Sequence, residues 1–289
     1  MTAADAGWGV STVPTARGRV GVRLRPAADH GVVTPLVAIL HQSPLSGWTH
    51  EPVLDHLGHR GPVAVLDTPG YGLSDPLDPA TDDLAVYAAT LWDAIEIVRA
   101  GRPVVLVGQH TGGHLAMIMA AAHSGVVAAV VFHGVSLYTD DERAERAARY
   151  APDIENAGDG THLATIWARL AHLYPDVDIA LRNRAVCDYL VARPGYASAY
   201  RAVFATPVAP MLEAFRTTGI PSAVLIGSAD LIATRQDRVA RELGSRVVRL
   251  PGLTDFAPWE APADFAAALD ELVDELLTQG SGPGGPHEH

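Results

Sequence analysis

The segment Val104-Val105-Leu106-Val107-Gly108-Gln109-His110-Thr111-Gly112-Gly113 sets an imidazole between glycines, where a G-x-S-x-G bend would carry a nucleophilic serine. Glycines flank such a bend because nothing larger fits so tight a turn. With His110 at the apex there is no alcohol to acylate, so covalent serine chemistry is closed at that position. An imidazole titrates near pH 6.5 and can accept a proton near neutrality, if a carboxylate orients one ring nitrogen and stabilises the imidazolium. The chemistry to expect is therefore general-base catalysis, and the partner to look for is an aspartate or glutamate.

A bend of this kind needs a strand before it and a helix after it. The β-branched run Val104 to Val107 supplies the first, and Leu115 to Ala122 supplies the second. From about Thr34 the same alternation repeats, which signals a mainly parallel sheet covered by helices. Leu36 to Leu40, Val63 to Leu66, Val104 to Val107, Val127 to Phe132, Ala223 to Ile226 and Val247 to Leu250 read as buried strands. Helices are expected near Thr49, Asp83, Thr111, Arg235 and Ala261, and Gly9 to Val13 with Val20 to Leu24 as a leading antiparallel pair. The alternation stops between Thr139 and Gly219, a stretch far longer than an ordinary connection and helical in pattern. The chain thus divides into a first part of an α/β core (1–138), a helical cap (139–219), the rest of the core (220–278) and a Gly/Pro-rich disordered tail (279–289). Trp167, Leu170, Leu173, Tyr174, Tyr189, Leu190, Tyr196, Tyr200 and Phe204 give the cap a core of its own and some side chains to line a site beneath it.

Four further motifs stand in order along the chain: Leu40-His41-Gln42-Ser43-Pro44, Asp67-Thr68-Pro69-Gly70-Tyr71-Gly72-Leu73-Ser74-Asp75, Gly227-Ser228-Ala229-Asp230 and Pro251-Gly252-Leu253-Thr254-Asp255-Phe256. With the bend they resemble the α/β-hydrolase superfamily, in the branch whose helical cap follows the sixth strand. They stand for its H-G-x-P segment, its D-x-P-G-x-G-x-S-D loop, its acid loop and its P-G-x-G-H-F loop. The resemblance implies an α/β-hydrolase fold over roughly Leu36 to Leu277, without the usual Ser, Asp, His set. This chain offers His110, Asp230 and Asp255 instead, so two of three positions are exchanged. H-Q-S-P combined with G-Q-H-T-G-G is also similar to actinobacterial hydrolase-like proteins that bear a G-H-H-T-G bend.

Carried over, the family geometry sets Asp255 against His110 with Asp230 behind it. It leaves a backbone oxyanion hole at Thr111 and at Gln42 or Ser43, because N–H donors survive side-chain replacement. Two neighbouring carboxylates would also push one of their pKa values up. His41, Trp48, Gln109, His133, Trp167 and Trp259 are candidate substrate contacts. Ser43, Ser136 and Ser228 lie near strand ends, but none has the bend or an obvious base.

Composition narrows the rest. A net charge of −12, with no basic patch, argues against nucleic acid or an anionic membrane as partner. The single cysteine, Cys187, excludes an internal disulfide and a cysteine zinc site, and its helical setting suggests a small buried apolar residue. With no signal-like start and no long apolar run, the expectation is a cytoplasmic protein acting on a small molecule without cofactor or metal. The leading reading is an atypical hydrolase, lyase or isomerase working on a small to medium hydrophobic carbonyl compound, of the kind used in natural-product biosynthesis. Its competitor is a ligand-binding protein on a hydrolase-like frame that has lost catalysis.

Overall fold

The computed structural model describes residues 7–27, 33–58, 61–81 and 83–280. Within them a single sheet carries β1 (Gly9–Thr15), β2 (Gly18–Arg25), β3 (Leu36–Leu40), β4 (Val63–Leu66), β5 (Val104–Gln109), β6 (Val127–His133), β7 (Ser222–Gly227) and β8 (Arg246–Leu250). Their spatial order is β1-β2-β4-β3-β5-β6-β7-β8. The first two strands are the antiparallel pair read from the sequence, and β2 continues antiparallel onto β4. From β4 across to β8 every pairing is parallel. This is the α/β-hydrolase fold the motifs implied.

Short runs of Val, Ile, Leu and Ala form the central strands because both faces of the sheet are covered. Along β3, Leu36, Ala38 and Leu40 join one apolar core while Val37 and Ile39 join the other. The first core is closed by α1 (Leu84–Arg99) and α2 (Thr111–Ala122); Asp83 caps α1 by accepting from the Ala85 N–H. The second is closed by the 3-10 segment Gly47–Asp55 and, at the far end of the chain, by α10 (Pro262–Gly280). The helix expected near Thr49 is this 3-10 turn.

Between β6 and β7 run α3 (Asp140–Arg149), α4 (Thr161–Leu173), α5 (Ile179–Val191), α6 (Ser198–Ala205) and α7 (Val208–Arg216), with no strand among them. α8 (Gln236–Leu243) joins β7 to β8, and the short α9 (Ala257–Glu260) leads from β8 to α10. α3 begins with a reciprocal cap, Thr139 with Glu142, and buries none of its residues. Cys187 is exposed, not buried as expected. α5 turns Leu181, Ala185, Asp188 and Tyr189 inward, and position 187 falls on the opposite side of that stripe. The expected disordered tail lies, from residue 281 on, outside the described residues. No described helix is long and apolar enough to cross a membrane.

Candidate functional site

The candidate site collects at the carboxyl ends of the parallel strands, where open α/β sheets bind their ligands. His110 follows β5, Ser136 follows β6, Asp230 follows β7, Asp255 follows β8, and Gln42 with Ser43 follows β3. The bend after β5 is as tight as its glycines suggest. A Cβ on Gly108 would lie 2.3 Å from the Gly112 carbonyl oxygen, and one on Gly112 would lie 2.2 Å from that of Leu40. Between them His110 takes φ 49° and ψ −103°, a strained backbone for a residue with a side chain. Its N–H donates to the Gly134 carbonyl at 2.9 Å, which ties the apex to the end of β6.

His110 Nε2 lies 3.1 and 3.0 Å from the two oxygens of Asp230. The direct partner is thus Asp230, not Asp255 as the family order implies. The reason is local. Asp255 spends one oxygen on the Leu231 N–H at 2.9 Å and the other on the Tyr174 hydroxyl at 2.8 Å. Asp230 is steadied by the Ile232 N–H at 2.8 Å and keeps both oxygens towards the imidazole. Asp255 still lies close, for the three side chains each offer an atom within 4.8 Å of the others.

This grouping sets the protonation states. Burial opposes a charge on His110, but the attraction and hydrogen bond of Asp230, with Asp255 beyond, push its pKa up to about 9. At neutral pH it therefore rests as an imidazolium, a proton donor, where the sequence suggested a resting base. Burial alone would raise Asp230, yet the His110 charge holds it below the usual carboxylate range. For Asp255, burial and the neighbouring Asp230 charge act together and push it up to about 6. Burial and the Asp255 charge keep the Tyr174 phenol well above its ordinary value. One imidazole and two carboxylates are also a donor set that could hold a divalent cation. Such an ion would compete with the His110 contact to Asp230 and share the carboxylates with the Tyr174, Leu231 and Ile232 donors.

A cavity of about 170 Å³ opens above His110. Thr111, Gln42 and Ser43, the residues expected to offer backbone donors, line it. Thr111 is the first residue of α2, and among the described residues its N–H has no acceptor, as befits a helix start. Leu173, Tyr174, Tyr200 and Phe204, from the helices between β6 and β7, form the facing wall. His114, Tyr138, Arg146 and Tyr150 also line the cavity. None of these four stood out in the sequence, because no motif marks them and α3, which carries Arg146, reads as a plain solvated helix.

The remaining sequence candidates lie elsewhere. His41 accepts the Thr68 N–H at 2.9 Å and braces the loop after β4. Gln109 donates to the Asp255 carbonyl at 2.6 Å and fixes the backbone of that loop, not a ligand. His133 is buried under the sheet beside His50 and Phe265, where burial pushes its pKa down to about 3. Trp48 donates to Asp188 at 2.6 Å and packs edge-on against Trp259, away from the cavity. Trp167 lies under the Arg182 guanidinium, 5.1 Å from its ring centre. These six do not line the cavity, because each is engaged in packing or in holding a loop. Among the described residues no serine hydroxyl bonds to a histidine, and Ser228 accepts the Gly252 N–H on the exposed surface.

Comparison with known proteins agrees with this frame. The sequence profile described as the Alpha/beta hydrolase family matches residues 13–268. No curated protein sequence matches the chain. A hydrolase from Pseudomonas aeruginosa PA01 superposes with a TM-score of 0.72 at 20% identity, over 92% of this chain and 98% of that one. E-2-(acetamidomethylene)succinate hydrolase does so with a TM-score of 0.69 at 21% identity, over 92% and 99%. N-acyl homoserine lactonase AidH in complex with N-butanoyl homoserine gives 0.69 at 17%, over 97% and 100%. At such identities the likeness is one of fold.

Proposed function

The chain belongs to the alpha/beta hydrolase family, and from that premise we propose that it is a cofactor-independent enzyme that moves protons on a small, hydrophobic carbonyl compound. His110 is the acid, and Tyr174 backed by Asp255 is the base. One observation carries this reading: His110 and Tyr174 line the same cavity, and each rests on its own buried carboxylate. Nε2 of the imidazolium stays with Asp230, while Nδ1 has no partner among the described residues and is the proton to give.

In this scheme the substrate carbonyl oxygen sits at the Thr111 N–H, beside the positive end of α2. A proton leaves the carbon next to the carbonyl for the Tyr174 oxygen as the phenol proton passes to Asp255, so no free phenolate forms. His110 gives its Nδ1 proton to the developing enolate oxygen. The products are an enol, a protonated Asp255 and a neutral His110, which is then the base for the return step. Isomerisation, elimination and decarboxylation all pass through such an enol. With water as the proton source for Tyr174, the same arms serve hydrolysis. Asp230 keeps the imidazole oriented throughout and stabilises its charged form. The helices between β6 and β7 act as a cap that excludes water from the transfer.

Exchange of the α-hydrogens of acetophenone with solvent deuterium, followed by proton NMR, tests the scheme without knowledge of the natural substrate. The protein should speed exchange, and His110→Gln and Tyr174→Phe should each slow it by ~10²-fold, with unfolding temperatures little changed. A chelator should leave the rate alone. Covalent labelling by a fluorophosphonate, which reports an activated serine, would overturn the scheme, as would exchange indifferent to both substitutions.

A further inference from the structure

The cavity wall has a charge unlike that of the molecule around it. Acidic residues outnumber Lys and Arg by 33 to 21 in the chain, yet no aspartate or glutamate lines this cavity, and a guanidinium and two imidazoles do. The guanidinium is that of Arg146 on α3. Its centre lies 4.8 Å from the ring centre of Tyr138 and 5.0 Å from that of Tyr150, so aromatic faces hold it in place. Among the described residues no carboxylate or carbonyl accepts from it.

Its neighbours make that vacancy specific. Arg143, one turn earlier on α3, donates to the Phe204 carbonyl at 2.6 Å and to Asp140 at 2.8 Å. Arg235 stacks on the same Tyr138 ring at 5.7 Å and is paired with Glu142 at 2.8 Å. Arg146 alone of the three keeps its N–H fork for something else. Three buried polar atoms of residues that line the same cavity, Gln42 Nε2, Ser43 Oγ and Ser136 Oγ, are also without partners among the described residues. Buried groups of this kind are rarely left unbonded unless a ligand or ordered water completes them.

We propose that Arg146 anchors a carboxylate on the substrate, so that the site takes small aromatic or alkyl carboxylates, keto acids among them, in preference to uncharged compounds of the same shape. A stacked guanidinium is suited to this, because its planar fork meets both oxygens of a carboxylate and its stem is already ordered. A cavity of about 170 Å³ has room for one ring with a short side chain. This deepens the acid–base scheme and rests on it for the fate of the substrate, while the binding preference can be read without turnover.

The test is equilibrium binding of phenylacetate and of its neutral counterpart phenylacetamide, by calorimetry or NMR shift titration, to the intact protein and three variants. The parent should bind the acid at least about tenfold more tightly than the amide. Arg146→Gln should erase that preference. Arg149→Gln, which removes an exposed arginine from the same helix, should keep it. Equal binding of acid and amide by the parent overturns the proposal, as does a preference that survives Arg146→Gln or no binding of phenylacetate at millimolar concentration. A preference lost in His110→Gln but kept in Arg146→Gln also overturns it, and assigns the carboxylate to the imidazole. If Arg146 governs the preference while His110→Gln leaves deuterium exchange unchanged, the acid–base scheme alone has failed.

Discussion

Arg23 and His110 are both cations set against two carboxylates, and they do opposite things with that arrangement. Arg23 pairs with Glu51 at 2.7 Å and Asp67 at 2.8 Å, and Asp67 is fully buried. The oxygens of Asp67 also accept the Gly47 N–H at 2.6 Å and the Leu73 N–H at 2.9 Å. Gly21 and Gly72 seal the pair, for a Cβ on either would come within 2.5 Å of the Asp67 carboxyl. A guanidinium does not lose its proton in a protein, so this cluster is permanently charged and fixes the D-x-P-G-x-G-x-S-D loop against β2. Around His110 both carboxylates are buried as well, but the cation can titrate and 18% of its side chain stays open. Buried ion pairs of similar composition thus stay permanently charged where the cation is a guanidinium, and can exchange a proton with the cavity where it is an imidazole.

Breaking the sealed cluster should have the largest effect on stability. Asp67→Asn leaves Arg23 buried with one partner and two backbone donors poorly served, and losing one member of a buried pair costs about 3–5 kcal/mol. For a chain of this size that is a fall of order 10 °C in the unfolding temperature. Calorimetry of the variant checks it. A fall of a degree or two would mean that the loop holds without its ion pair, and the contrast with His110 would lose its structural side.

The open cluster should respond in its titration more than in its stability. Asp255→Asn removes one of the two negative charges that hold His110 up to about 9. The imidazole pKa should therefore fall, which NMR titration of the ring protons reads directly. The sign for stability follows from Asp255 itself, whose folded pKa of about 6 exceeds its ordinary 3.8. The stability it contributes is present below pH 3.8 and is lost as pH rises through 6, after which its buried charge works against the fold. The variant lacks that loss. Relative to the parent it should melt more favourably at about pH 7 than at about pH 5, whatever fixed amount the amide costs. An unmoved His110 titration would sink the claim that the two carboxylates act on one imidazole.

The bend and the loops were legible in the sequence, and the pairings of the two charged clusters were not, for a physical reason. A glycine whose Cβ would strike backbone leaves its mark in the chain itself, so the bend at Gly108 and Gly112 could be read directly. The strands could be read too, since two covered faces demand uninterrupted apolar runs. The pairing of His110 with Asp230 depends instead on which loop donors reach Asp255 first, and those are the Leu231 N–H and a tyrosine 81 residues away. Nothing local announces either. The same holds for Arg146, whose place at the cavity comes from where α3 is carried, and for Trp48 and Trp259, whose place beside the motif loops gave no sign that they pack on one another.

A fourth buried aspartate, after Asp67, Asp230 and Asp255, tests how far the contrast extends. Asp188 on α5 accepts from Trp48 Nε1 at 2.6 Å and from the Ser46 hydroxyl at 3.2 Å, so neutral donors hold it, with no cation in hydrogen-bonding contact among the described residues. Burial pushes its pKa up to about 6. By the same sign as Asp255, the stability it gives is greatest below pH 3.8 and is lost as pH rises through 6. Asp188→Asn keeps an acceptor for Trp48 and carries no charge, so the change at neutral pH should stay within about 1 kcal/mol. The measurable consequence is spectroscopic: tryptophan fluorescence of the parent should titrate near pH 6, and the variant and Trp48→Phe should both lose that step. If the step persists in both, some other group reports it. The inference that Asp188 titrates against Trp48, at the contact between α5 and the loop after β3, would then fail.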